Sequence, residues 1–78
     1  LAVQGQVAAA AAEFEEVLRL DPGHVKARLN LGVALAKLGR LAEARRQFDE
    51  TLRLDPQNPQ ALEFKRQAEA APVRGVGR

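Results

Sequence analysis

The sequence predicts an all-α fold of antiparallel helix-turn-helix units stacked side by side. Three observations carry that expectation. The 78 residues are rich in Ala, Leu, Glu, Arg and Gln, all strong helix formers, whereas Ile is absent and Thr occurs once. The chain repeats itself with an offset of 34: Gly5, Ala10, Phe14, Leu18, Leu20, Asp21 and Pro22 return as Gly39, Ala44, Phe48, Leu52, Leu54, Asp55 and Pro56. Arg19 and Glu16 return as Arg53 and Glu50. Finally, Gly and Asp-Pro punctuate runs whose apolar residues recur at helical spacing.

The elements follow in order. A short helical tail is expected at 1–4, set off by Gly5, and a first full helix at 7–20. Its apolar face is Val7, Ala10, Phe14 and Val17. Asp21-Pro22 stops it, because the residue before a proline is pushed out of the α region. A second helix is expected at 25–38, with Ala27, Arg28, Leu31, Gly32, Ala34, Leu35 and Leu38 turned inward. A mid-helix glycine costs about 1 kcal/mol relative to alanine, so Gly32 implies close helix-helix approach where a Cβ would clash. Gly39 ends this helix in the left-handed conformation.

The third helix, 41–54, buries Leu41, Ala44, Phe48, Thr51 and Leu52. Glu15 with Arg19, and Asp49 with Arg53, lie four apart in the favourable acid-first order. Asp55-Pro56 stops this helix. Asn58 and Pro59 then start a fourth at 59–71, as N-cap and first helical residue. Pro72 breaks that helix and leaves 72–78 as a frayed tail.

Composition narrows the function classes. The net charge is +2, from 12 basic and 10 acidic side chains with the signs interspersed. No strong field for DNA or an acidic membrane is expected. Arg45 and Arg46, with Arg40 nearby, form a small basic cluster, and Arg74 and Arg78 add charge in the tail. Glu43, Asp49 and Glu50 dilute the cluster and no aromatics accompany it, so no nucleic-acid role is expected. No apolar run reaches the roughly 20 residues of a membrane span. Cys, Ser and Tyr are absent, Thr51 is the one side-chain hydroxyl outside the acids, and His24 is the one imidazole. Nucleophile-base pairs cannot be assembled, so no enzyme is expected. His24 has no partners at ligand spacing, and neither a metal nor a cofactor is expected. The first residue is Leu1 rather than Met, which suggests a piece of a longer chain. A cytoplasmic location is the default expectation, and the Ala and Arg usage suggests a GC-rich bacterial source.

A 34-residue helix-turn-helix unit with this spacing resembles the tetratricopeptide repeat. Residues 25–58 are similar to one complete copy, with Leu31-Gly32, Gly39, Ala44, Phe48 and Pro56 at the family spacing. Arg28, Leu35 and Thr51 depart from it, standing where the pattern has Trp, Tyr and Ala. Residues 1–24 look like the end of a preceding copy. Residues 59–71 look like a following first helix used as a cap, with Lys65-Arg66 in place of Leu-Gly. The domain then covers 1–71.

The resemblance implies a right-handed α-solenoid whose first helices line a concave groove for a partner peptide or helix. The implied role is a scaffold or adaptor. Some members grip a C-terminal carboxylate with Asn and basic residues. Asn30 matches one such position, but Gln60 and Phe64 stand where basic residues are needed, so that clamp is not expected.

The groove face of the complete copy is expected to be Lys26, Leu29, Asn30, Val33, Ala36 and Lys37, continued by Phe64 of the fourth helix. Leu29, Val33 and Phe64 would form an apolar strip edged by Lys26 and Lys37, suited to a partner with hydrophobic anchors and some acidic character. The alternative is that Phe64 folds back over the end of the core while Leu29 and Val33 are ordinary surface residues. Self-association is the second functional expectation. Repeat units cannot bury their faces alone, and the 7–20 helix leaves Val7, Ala10, Phe14 and Val17 in need of cover.

Overall fold

The structure is a computed structural model and describes residues 2–70. Four helices follow one another: α1 (Ala2–Leu20), α2 (Val25–Lys37), α3 (Leu41–Leu54) and α4 (Pro59–Ala70). Each packs on the next in sequence, α1 on α2, α2 on α3 and α3 on α4. The result is an open row of helices, 44 × 35 × 16 Å, rather than a closed bundle.

The core is aliphatic apart from one ring. Ala11, Leu29, Leu31, Ala34, Leu35, Ala44, Phe48 and Ala61 form one buried cluster, with Val7, Phe14, Leu18, Val33, Ala36, Leu52 and Phe64 packed against it. Thr51 is fully buried, and its hydroxyl donates to the Gln47 carbonyl one turn back at 2.8 Å. That bond satisfies the polar group and lets Thr stand where the repeat pattern has Ala.

Gly32 of α2 lies directly against the Phe48 ring of α3. A Cβ built there would lie 2.6 Å from Phe48 Cε1, inside any tolerable contact. Phe48 is itself held from the other side by Phe64, with ring centroids 5.0 Å apart and planes 3° from parallel. The ring is therefore sandwiched between a glycine and a second aromatic.

The helix ends are made by local hydrogen bonds. Gly39 has φ +81°. Its N–H donates to Ala36 O at 3.0 Å, and the Arg40 N–H donates to Leu35 O at 2.9 Å. This is the paired pattern that closes a helix on a left-handed glycine. Asn58 caps α4 by accepting from the Ala61 N–H at 2.9 Å, and His24 caps α2 in the same way, its Nδ1 accepting from the Ala27 N–H at 3.0 Å. His24 is thus more than a solvated turn residue.

Several expectations need correction. α1 has no break at Gly5: one helix runs through it from Ala2. Gly39 turns because α3 folds back on α2 there. Gly5 is exposed and helical, with nothing among the described residues within 4 Å of a built Cβ. Leu41, expected in the core, is 65% exposed at the start of α3. Arg19 and Arg53 pair with Glu16 and Glu50, three residues back, rather than with Glu15 and Asp49. Asp49 instead reaches Lys65 of α4 at 3.2 Å. The expected tail at 72–78, and Ala71, lie outside the described residues.

Candidate functional site

α2 positions the residues that the sequence marks as a binding face. It has two packing partners, α1 and α3, and its inward stripe is correspondingly wide. Leu29 belongs to that stripe. It is 4% exposed and part of the core cluster, so it offers almost no surface to a partner. Sequence periodicity against one neighbour places it outside, but burial against two neighbours brings it in.

Phe64 lies apart from Val33, in the lining of a different groove, between α3 and α4. Half-buried, it stacks on Phe48, covering the end of the core as the alternative reading has it. The expected apolar strip of Leu29, Val33 and Phe64 therefore does not exist as a continuous surface. Lys26 is exposed at the start of α2.

Asn30, Val33 and Lys37 do come together. With Ala34 they form one wall of a groove of about 310 Å³, and Gln6, Val7, Ala10 and Phe14 of α1 form the other. Val7, Ala10, Phe14, Asn30 and Val33 are half-buried, whereas Lys37 is exposed. The floor is apolar, and the polar groups sit at the rim.

A second groove, of about 540 Å³, is lined by Ala36, Leu41, Ala42, Ala44, Arg45, Phe48, Phe64 and Gln67. Adding 34 to Val7, Ala10, Phe14, Asn30 and Val33 gives Leu41, Ala44, Phe48, Phe64 and Gln67. The two grooves are therefore one surface made twice. Sequence reasoning missed the second groove. Its signal is Leu41, an apolar residue at the position of Val7 whose neighbour Gly39 ends the preceding helix too early to cover it.

Charge at this surface is local. Arg40 bonds Glu43, Arg53 bonds Glu50, and Arg66 bonds Glu63 within their own helices or helix starts. These arginines hold Glu43, Glu50 and Glu63 below the usual carboxylate range, as Arg19 does for Glu16. Arg28 is spent on structure. Its guanidinium donates to Gln47 Oε1 of α3 at 3.0 Å and to Pro22 O of the preceding turn at 2.9 Å. Among the described residues, no group of acidic, His or Cys side chains is placed to hold a metal ion. No helix among them is long and apolar enough to cross a membrane.

Two antiparallel helix pairs, offset by 34 residues and carrying the same groove twice, define a helical-repeat protein. The sequence model of the tetratricopeptide repeat family matches residues 1–59, and the chain belongs to that family. The match ends at the start of α4. No curated protein and no solved structure matches the chain.

Proposed function

We propose that this chain is a protein-binding scaffold module and that the groove between α1 and α2 is its docking surface. Tetratricopeptide repeat domains generally mediate protein-protein interactions. The observation that carries the reading for this chain is the groove lined by Val7, Ala10, Phe14, Asn30, Val33 and Lys37. An apolar floor supplies affinity, and a rim of amide and ammonium groups supplies orientation. Lys26 extends the basic rim toward the start of α2.

The test is quantitative capture of proteins from a cell extract on the wild-type chain and on a Val33→Glu, Lys37→Glu variant. Circular dichroism checks that both are equally helical. Binders retained by the wild type and lost from the variant support the reading. Identical recoveries refute it.

A second reading is self-association. Val7, Ala10, Phe14 and Val17 are only half-buried on α1, which leaves apolar surface for a second copy to cover. Light scattering on the pure chain decides this: a dimer at micromolar concentration favours it, and a monomer at millimolar concentration excludes it.

A further inference from the structure

We propose that His24 makes the junction between α1 and α2 a pH-sensitive hinge: neutral, its ring caps α2; protonated, it releases the cap and turns to Asp21. The molecule builds this junction twice and caps it with two different residues. Asp21, Pro22, His24 and Ala27 return 34 residues later as Asp55, Pro56, Asn58 and Ala61. The backbone bonds are the same in both copies. The His24 N–H donates to Asp21 O at 3.0 Å, as the Asn58 N–H does to Asp55 O at 3.0 Å. The Arg28 N–H donates to His24 O at 3.1 Å, as the Leu62 N–H does to Asn58 O at 3.0 Å. What differs is the side chain in the cap position.

An amide carries a donor and an acceptor on one group, and Asn58 uses both at once. Its Oδ1 accepts from the Ala61 N–H at 2.9 Å while its Nδ2 donates to Asp55 Oδ2 at 3.2 Å. Neither atom titrates. His24 accepts from the Ala27 N–H at 3.0 Å through Nδ1, so that nitrogen carries no proton and the neutral ring holds its proton on Nε2. When solvent delivers a proton to Nδ1, the lone pair that capped α2 is gone and the Ala27 N–H is left to water. The new N–H is a donor in the cap position from which Asn58 donates to Asp55, and Asp21 is the matching carboxylate in this turn. One nitrogen can do either job but not both, so the proton chooses between them.

The surrounding charges favour the exchange. Arg19 at the end of α1 bonds Glu16, and Arg53 at the end of α3 bonds Glu50. Arg28 donates to Pro22 O and to Gln47 Oε1 of α3. Asp21 and Lys26 make no ion pair among the described residues. Asp21 is therefore the carboxylate left for a protonated His24. Lys26 and the N–H groups at the start of α2 repel an imidazolium from the cap. Free histidine side chains take up a proton at about pH 6.5. The cap uses the neutral ring, so it is fully present above that range and is lost as pH falls through it. α1 and α2 are the two walls of the first groove, and the junction that joins them is the one that acid loosens.

The test is amide hydrogen exchange followed by NMR on the intact chain between pH 8 and pH 5, each rate expressed against the intrinsic rate at that pH. Protection at Ala27 should fall about fivefold across the range, the ratio that matches the usual contribution of an N-cap. Ala61, read in the same spectra, should keep its protection. In the His24→Asn chain Ala27 should be equally protected at both ends of the range. In the Asp21→Asn chain the fall should move to lower pH, because the protonated ring has lost its partner.

Unchanged protection at Ala27 while the His24 ring titrates overturns the proposal. Equal losses at Ala27 and Ala61 overturn it too, since they mean that acid loosens the whole row. So does a loss at Ala27 that persists in the His24→Asn chain. A fall that stays at the same pH in the Asp21→Asn chain overturns the role given to Asp21.

Discussion

Phe14 and Phe48 hold the same place in two copies of one unit, yet Phe48 is buried in the core and Phe14 is half-exposed at its margin. Their own helices do not explain the difference, since Ala10 and Leu18 surround one as Ala44 and Leu52 surround the other. The neighbours do. Phe48 has Gly32 of α2 on one side and Phe64 of α4 on the other, while Phe14 has α2 alone. A repeat side chain gains its burial from adjacent units, so identical residues stabilise unequally according to position in the row.

The largest expected effect comes from truncating the two rings. Phe48→Ala should cost about 3–5 kcal/mol by urea denaturation, the range for an aromatic removed from a packed core. Part of that is the stacking with Phe64, worth about 0.5–1.5 kcal/mol. Phe14→Ala should cost less than half as much. Equal losses would break the comparison and mean that α1 is as well covered in solution as α3.

The paired glycines sharpen it further. Gly32→Ala should destabilise by about 1–3 kcal/mol even though alanine gains about 1 kcal/mol in helix propensity, because the Phe48 ring would have to shift out of its stack on Phe64. Gly5→Ala should stabilise by up to about 1 kcal/mol, since Gly5 is helical with open space around it. Thermal melts of the two variants should therefore move in opposite directions. A shared direction would show that one of the two sites is packed differently from the structure.

The turns give a smaller contrast. Asn58→Ala should cost about 1 kcal/mol, the usual loss of an N-cap. The Asn58 cap is further braced by its own bond to Asp55 Oδ2 at 3.2 Å. His24→Ala should cost less, because histidine is a poorer cap than Asn, and His24→Asn should raise the melting temperature slightly. Matched losses at the two caps would remove this difference between the units.

The smallest expected effect is electrostatic. Arg19, Arg40, Arg53 and Arg66 each lower the pKa of a glutamate by hydrogen bonding: Glu16, Glu43, Glu50 and Glu63. A carboxyl whose folded-state pKa is depressed contributes stability above its unfolded value and loses it as pH falls through the folded one. The melting temperature should therefore drop modestly on acidification below about pH 4.5, where these glutamates take up protons. All four carboxylates are reached by solvent, so molar salt should shrink the drop, and a pH response that ignores salt would point to a buried group instead.

Much of the fold was legible in the sequence. The 34-residue offset marked the unit. Asp-Pro, Asn-Pro and Gly39 marked helix ends, and Gly32 marked a close approach. Each depends on backbone geometry within a few residues, which residue type controls directly. The site was legible only in part. Asn30, Val33 and Lys37 do share a groove, but Leu29 was drawn into the core and Phe64 lines the second groove, stacked on Phe48.

What the sequence by itself determined is local: where helices start and stop, which face of each is apolar, and where a side chain cannot fit. The tertiary structure alone decided which apolar residues found a second neighbour. Leu29 is buried because α2 lies between two helices, and Phe64 is turned inward because the Phe48 ring was there to stack on. α1 runs straight through Gly5, where a built Cβ meets nothing within 4 Å, although its counterpart Gly39 makes a turn. Burial is a sum over partners, and the partners of a repeat helix lie in other units, beyond the reach of any local pattern.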